Sequence, residues 1–189
     1  AWPDQDVINI TFRNRILELP FIWNCFVSVA AANDSENADS NSFLWFRNRY
    51  ESDATHVELN IAFDRSGVPY LADSFDSVTA DSVPFERVLR HVVEQGDEET
   101  GFVLNLCEYT SLGTLAANIE QLDLQYRTVI VGVDENALSV VKYYFSKTPV
   151  LCTYDSDTDS SLEELAQAGA DGIICDGDKL TKNLVKKQI

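Results

Sequence analysis

The sequence has few of the residues on which most metal and nucleotide sites depend. Its 189 residues include two histidines and four cysteines, and no cysteine belongs to a Cys-x-x-Cys pair. Zinc sites are usually built from such pairs and from histidine, so a zinc site has little support. Neither G-x-G-x-x-G nor G-x-x-x-x-G-K-[ST] occurs, so the usual signatures of nucleotide binding are missing.

Basic residues are also scarce. The chain has 14 Lys and Arg residues against 31 Asp and Glu residues, a formal net charge of -17. This charge repels phosphate backbones and anionic lipid surfaces. Nucleic acid is therefore not expected as a partner, and solubility is the simplest explanation of the acidity.

No hydrophobic run is long enough to cross a bilayer. The most apolar stretch, "LPFIWNCFVSVAAA", has 14 residues and contains an Asn, whereas a spanning helix needs roughly 20 residues. No basic segment precedes an apolar run at the start of the chain, so we expect neither a signal peptide nor an integral membrane segment. A soluble protein is expected, with the cytoplasm favoured and a secreted or membrane-tethered extracytoplasmic domain as the alternative.

Short β-branched runs instead alternate with helical patterns. Six runs are continuous enough to be parallel strands buried on both faces, and they cover residues 25–30, 57–63, 102–106, 129–133, 149–154 and 172–175. Such alternation predicts an α/β fold with a parallel sheet, either a barrel or an open doubly wound sheet. Each of the four cysteines lies in or beside one of these runs, so buried free thiols are expected rather than disulfides.

The helical segments carry recognisable ends. Residues 84–96 open with a proline and close with a glycine, the usual order at helix ends. Ser160 and Glu163 form a capping-box pattern, and Gly169 stops the helix that follows them. A last helix is predicted over residues 179–189.

Two blocks carry a family resemblance. "AAN" followed by "SNSFLWF" stands where a family motif has His-Arg-Gly followed by Glu-Asn-Thr and a helix with a Phe. "VELNIAFDRSGVPYLADS" matches a block of Glu-x-Asp, Asp-Gly-Val-Pro and His-Asp at Glu58, Gly67, Val68, Pro69 and Asp73. With "SVPFERVLRHV", "FVLNLCEYT" and "AGADGIICDGDKLTKNL", these blocks resemble the glycerophosphodiester phosphodiesterase family of phospholipase-C-like phosphodiesterases.

The resemblance implies a TIM-barrel-like fold and an active site that this sequence has altered. In the family two histidines act as general acid and base, and here Ala31 and Ala72 occupy their positions. Alanine cannot transfer a proton. Ala32 replaces the phosphate-facing Arg, which removes a bidentate anion contact. Asn33 remains beside these positions as a remnant of the pocket.

The resemblance also implies a divalent cation, held in the family by the Glu-x-Asp pair and a Glu on the third strand. Here Glu58 remains, the neutral Asn60 replaces the Asp, and Cys107 occupies the third-strand position. Strand alternation places Glu108 on the opposite face. We therefore expect no cofactor, with magnesium or calcium held by Glu58 and Glu108 as the alternative. Asp73 is a further pocket remnant.

The chain offers about six βα units where the family barrel has eight. Two units are missing between Val133 and Val150, and the exposed sheet edge needs a cover. The segment 7–12, the helix carrying Tyr143 and Tyr144, or a second copy of the chain could supply it, so a homodimer or protein partner is expected. Residues 1–24 are predicted to be an extension packing on a single barrel-like domain of residues 25–189.

Three functions compete. The first is a binding or assembly module that has lost catalysis, with an unidentified small-molecule ligand. The second is a diverged but active metal-dependent phosphoric diester hydrolase that acts on glycerophosphodiesters through Glu58, Asp73 and Glu108. The third is an unrelated enzyme using acidic residues at strand ends, namely Asp134, Asp155 and Asp176. The two histidines are assigned structural roles: His56 packs at the bottom of the barrel, and His91 is a surface or boundary residue.

Overall fold

The computed structural model describes residues 29–30, 41–52, 54–96, 99–154 and 162–174. These residues belong to two compact units that divide between Ile130 and Val131. The predicted extension 1–24, the predicted last helix, Ala31, Ala32 and Asn33 lie outside the described residues, as do Cys25, Asp155, Ser160, Cys175 and Asp176. The division into an extension and one domain stays a prediction.

Strands and helices alternate as the sequence predicts. The strands are β1 (Val29–Ala30), β2 (His56–Phe63), β3 (Pro69–Leu71), β4 (Val83–Pro84), β5 (Gly101–Leu106), β6 (Thr128–Val133), β7 (Val150–Thr153) and β8 (Gly172–Ile174). The α-helices are α1 (Phe43–Tyr50), α2 (Phe85–Gln95), α3 (Leu112–Gln121), α4 (Glu135–Tyr144) and α5 (Leu162–Ala168). None of the helices in the described part of the chain is long and apolar enough to cross a membrane.

The sheet is mostly parallel. In the first unit β2 pairs in parallel with β1 and with β5, and β6 follows β5 in the strand order. In the second unit β7 and β8 are neighbouring parallel strands. Six strands overlap the six predicted ones, β1 only at Val29–Ala30, and the α/β prediction is confirmed. A single helix, α4, separates β6 from β7, as expected from the shortened sequence.

An antiparallel hairpin, which the sequence reading missed, follows β2. The backbone turns through Gly67, whose φ of +82° favours glycine, and Asp64 closes the turn by accepting hydrogen bonds from the backbone N–H groups of Ser66 and Val68, both at 2.9 Å. These hydrogen bonds hold the pKa of Asp64 below its ordinary value. β3 pairs antiparallel with β2, and β4 with β3. The Gly-Val-Pro block of the family resemblance is this hairpin.

An aromatic cluster packs α1 against α2. The rings of Phe43, Phe46 and Tyr50 lie edge-on to the imidazole of His91, with centroid distances of 5.6, 5.8 and 5.6 Å. His91 is only 9% exposed. The expectation of a surface or boundary position was therefore wrong, because three rings on a neighbouring helix cover the imidazole.

A partly buried ion pair organises the second unit. Lys142 on α4 lies 2.6 Å from the carboxylate of Asp171, which also accepts a hydrogen bond of 2.9 Å from the backbone N–H of Val150. One carboxylate thus ties α4 to the start of β7. On the same helix Tyr143 is 79% exposed and Tyr144 42% exposed, so these rings do reach the surface. A dimer through them stays a prediction.

His56 is packed at the first residue of β2, far along the strand from its end at Phe63. The imidazole is 1% exposed and faces Gly101, where a Cβ would lie 2.3 Å from the ring carbon Cδ2. Only glycine allows this approach. The structural role predicted for His56 agrees with this position.

Gly101→Ala should therefore destabilise the protein by about 1–3 kcal/mol, the usual cost of overpacking a core. Urea unfolding measures the loss. In a His56→Ala background the same change should cost less, because the clashing ring is gone. An equal cost in both backgrounds would contradict the proposed contact.

Burial also makes His56 a source of pH-dependent stability. Burial lowers the pKa of His56 below the ordinary value of 6.5. At a pH just below 6.5, the imidazole therefore binds a proton in the unfolded chain but not in the folded chain. Unfolded-state protonation then lowers the free energy of unfolding as the pH falls from 6.5. In urea unfolding between pH 7.5 and 5.5, wild type should lose more stability than His56→Gln. If the free energies of unfolding of the two proteins changed equally with pH, this prediction would be wrong.

Candidate functional site

Polar side chains meet on one face of the paired strands β2 and β5. Glu58 and Asn60 lie two residues apart on β2, and residues two apart in a strand share a face. Asn105 of β5 stands directly opposite Asn60 in the parallel register. Asn60 is 5% exposed, so its amide needs hydrogen-bond partners within the protein.

Those partners form a polar chain of Asn105, Asn60 and Asp73. The Asn105 amide nitrogen donates to the Asn60 oxygen at 2.9 Å, and the Asn60 nitrogen donates to the Asp73 carboxylate at 2.6 Å. In addition, the backbone N–H of Ala72 donates a hydrogen bond of 3.1 Å to the backbone carbonyl of Asn60. The structure thus joins two of the predicted pocket remnants, Asn60 and Asp73, through a charge-assisted hydrogen bond.

Glu108 and Cys107 follow the end of β5. Because β5 ends at Leu106, strand alternation does not extend to Glu108, and its carboxylate instead accepts a hydrogen bond of 2.7 Å from the backbone N–H of Phe63 at the end of β2. Burial, followed by the charges of Asp73 and Glu108, raises the pKa of Cys107 to about 11. This thiol is protonated at neutral pH and is therefore a poor nucleophile.

These residues do not fit the hard divalent cation that the family resemblance implies. Such cations take six or more oxygen ligands, several of them from carboxylates. Asn60 turns its nitrogen toward Asp73, Cys107 offers a soft sulfur where such ions prefer oxygen, and one oxygen of Glu108 accepts a hydrogen bond from the backbone N–H of Phe63. Within the described ranges, no three His, Cys, Asp or Glu side chains form a group that could hold an ion.

Ala72 lies on the wall of a cavity of about 460 Å³. The apolar part of the wall includes Phe43, Leu71 and Val83. Ala72 thus lines the cavity at the position where the resemblance implies a histidine, and an alanine side chain cannot transfer a proton.

The rest of the described wall is polar. Ser42, Thr79 and Ser82 contribute hydroxyl groups, Asp81 a carboxylate and Arg87 a guanidinium. The sequence reading missed Arg87, since no motif marks its position. It also missed Asn105, although aligning β2 with β5 in parallel would have placed two Asn residues side by side.

Of the three acidic residues proposed for an unrelated enzyme, the structure describes Asp134. Asp134 is the N-cap of α4, where its carboxylate accepts a hydrogen bond of 2.9 Å from the backbone N–H of Ala137. This is the ordinary role of Asp at a helix start. Asp155 and Asp176 lie outside the described residues.

Asn60→Asp tests the polar chain. The change replaces a donor by a second carboxylate against Asp73, so it should lower the free energy of unfolding by about 1–3 kcal/mol at pH 7.5. The loss should shrink at pH 5, where the two carboxylates can share a proton.

Urea unfolding at both pH values measures these effects. Asn136→Asp, an exposed position on α4, is the matched control and should change little. An equal effect of the two substitutions would show that the hydrogen bond to Asp73 does not stabilise the fold.

Comparison with known proteins identifies the fold. No protein-family model matches the sequence, and no curated protein is significantly similar to it. Solved structures do match. A protein from Galdieria sulphuraria assigned as a glycerophosphodiester phosphodiesterase has a TM-score of 0.68 at 14% identity, with 85% of this chain and 78% of that chain covered.

Two bacterial structures agree. A protein from Silicibacter pomeroyi assigned as a glycerophosphoryl diester phosphodiesterase has a TM-score of 0.54 at 13% identity, covering 69% of this chain and 68% of that one. The glycerophosphodiester phosphodiesterase from Agrobacterium tumefaciens has a TM-score of 0.52 at 15% identity, covering 66% and 64%. The chain therefore has the TIM-barrel-like α/β fold of the glycerophosphodiester phosphodiesterases.

Proposed function

We propose that this chain is a diverged glycerophosphodiester phosphodiesterase that has lost catalysis and acts as a binding module. The observation that carries the proposal is Ala72, which lines the cavity at a position where the resemblance implies a catalytic histidine. Hydrolysis of a phosphodiester needs a group that gives or takes a proton at the reacting oxygen. The polar side chains described along this wall are hydroxyls, one amide, one guanidinium and the carboxylate of Asp81, and no histidine is among them.

Electrostatics support the same proposal. A metal-dependent hydrolase concentrates carboxylates around its cation, whereas the polar chain here has one carboxylate, Asp73, which accepts a hydrogen bond from the neutral amide of Asn60. Loss of the Asp at position 60 and of the Glu at position 107 also lowers the negative charge that would attract a cation. The alternative, a diverged but active hydrolase using Glu58, Asp73 and Glu108, needs these carboxylates to rearrange around a metal.

A hydrolysis assay run beside a metal titration separates the two functions. Glycerophosphodiesters with MgCl₂ or CaCl₂ should give no turnover above the buffer blank, while the Agrobacterium tumefaciens enzyme serves as the positive control. Calorimetry at micromolar protein should show no saturable heat for either ion. Turnover, or a saturable heat abolished by Glu58→Ala, would overturn the proposal in favour of the active hydrolase.

A further inference from the structure

We propose that two copies of this chain associate through the outer face of helix α4, with the two helices packed antiparallel across a two-fold axis. The outer face is defined by Asn136, Val140, Tyr143 and Tyr144. Three features of α4 support this pairing: a second apolar side, a face without net charge, and ends of opposite charge. The inference goes beyond the proposed function and does not depend on it.

Helix α4 is apolar on two sides. Leu138 and Val141 on its inner side are buried. On the outer face Val140 is 49% exposed, Tyr143 79% and Tyr144 42%. A surface helix ordinarily has one apolar side and a polar side opposite to it. The second apolar side of α4 is therefore a surface suited to a partner.

The two tyrosine rings hold each other in place. The ring centroids of Tyr143 and Tyr144 lie 5.1 Å apart, and the ring planes meet at 87°, which is the edge-to-face arrangement that aromatic pairs favour. A side chain that is already positioned loses less conformational entropy when a partner covers it. The pair is therefore a prepared contact surface, and tyrosine is enriched at protein interfaces.

The outer face of α4 carries no net charge, although the chain as a whole has a formal charge of -17. Asn136 and Val140 are neutral. Lys142, the cation within this helix, is mostly buried in its ion pair with Asp171 at 2.6 Å. Two copies of so acidic a chain repel each other, so a neutral apolar face is where a second copy can approach at the least electrostatic cost.

The ends of α4 carry opposite charges. Asp134 is the N-cap and Glu135 the first residue of the helix. Lys147 follows the helix, in a turn closed by a hydrogen bond of 3.2 Å from the backbone N–H of Thr148 to the carbonyl of Phe145. Antiparallel packing brings the acidic start of each helix to Lys147 of the second copy, whereas parallel packing would bring like charges together. A surface that is complementary to itself in this way suits a two-fold dimer.

The same arrangement matches side chains by size. Asn136, Val140 and Tyr143 are spaced three or four residues apart and therefore lie along one side of α4. When the two-fold axis crosses the helix between Val140 and Tyr143, Val140 of each copy meets Tyr143 of the other. A small side chain then packs beside a large ring, as in a well-filled core. Asn136 lies near the end of the second helix, which Lys147 follows.

Sedimentation equilibrium of the full chain, from about 1 to about 500 μM, tests the pairing. Wild type should show a reversible monomer–dimer equilibrium with a dissociation constant in the micromolar range, because so few side chains bury less than the roughly 800 Å² per partner of a standard interface. Tyr143→Ser should raise this constant at least about tenfold, since both copies lose a buried ring. Tyr126→Ser, the matched control, removes a tyrosine that is 69% exposed outside α4 and should change it less than about twofold.

Mixed variants test the antiparallel direction. Asn136→Lys and Lys147→Glu should each raise the dissociation constant at least about threefold, because each brings like charges together at both ends of the helix pair. In an equal mixture of the two variants, the new lysine of one copy faces the new glutamate of the other. The mixture should therefore associate at least as tightly as wild type.

A strict monomer at the highest concentration would overturn the inference, and so would a dimer that Tyr143→Ser leaves unchanged. A mixture that associates no more tightly than either variant alone would refute the antiparallel pairing. The wild-type series tests association without any substitution, and circular dichroism checks that each variant is folded. The measurements contain no diester and no divalent cation, so their outcome is separate from the hydrolysis assay.

Discussion

The hydrogen bonds of one buried amide connect the strands that build the candidate site. Asn60 holds Asn105 of β5 on one side and Asp73, which follows β3, on the other. A shift of one residue in either pairing would turn the partner to the opposite face and leave a buried amide unsatisfied, at a cost of about 1–3 kcal/mol. The position of Ala72 on the cavity wall depends on this register.

Asn60 can bond to both Asn105 and Asp73 because its side chain carries no charge. An Asp in its place would face Asp73 and would need a cation or a shared proton between the two carboxylates. An amide donates to one neighbour and accepts from the other, so it satisfies both without an ion. The proposed loss of catalysis and the stability of the strand pairing are thus linked through the same substitution.

The sequence was most informative where burial determines the pattern of apolar residues. β2, β5 and β6 were predictable because both faces of a parallel strand are apolar. The β3–β4 hairpin was not predictable, since strands of three and two residues are too short to show an alternation of apolar and polar side chains. Glu108 was misplaced because alternation applies only inside a strand, and β5 ends at Leu106. The Ala72 position came from the family resemblance, whereas the cavity that it lines depends on loops and on α2.

The cavity also depends on the packing of α1 and α2. The ring of Phe43 contacts the guanidinium of Arg87 at 4.0 Å and the imidazole of His91 at 5.6 Å. Arg87 and His91 are four residues apart on α2 and therefore lie on the same side of that helix. One ring thus belongs to the helix–helix contact and to the cavity wall. The contact with this ring restricts the side chain of Arg87 at the cavity wall, so the packing of the two helices and the shape of the wall are set by the same side chain.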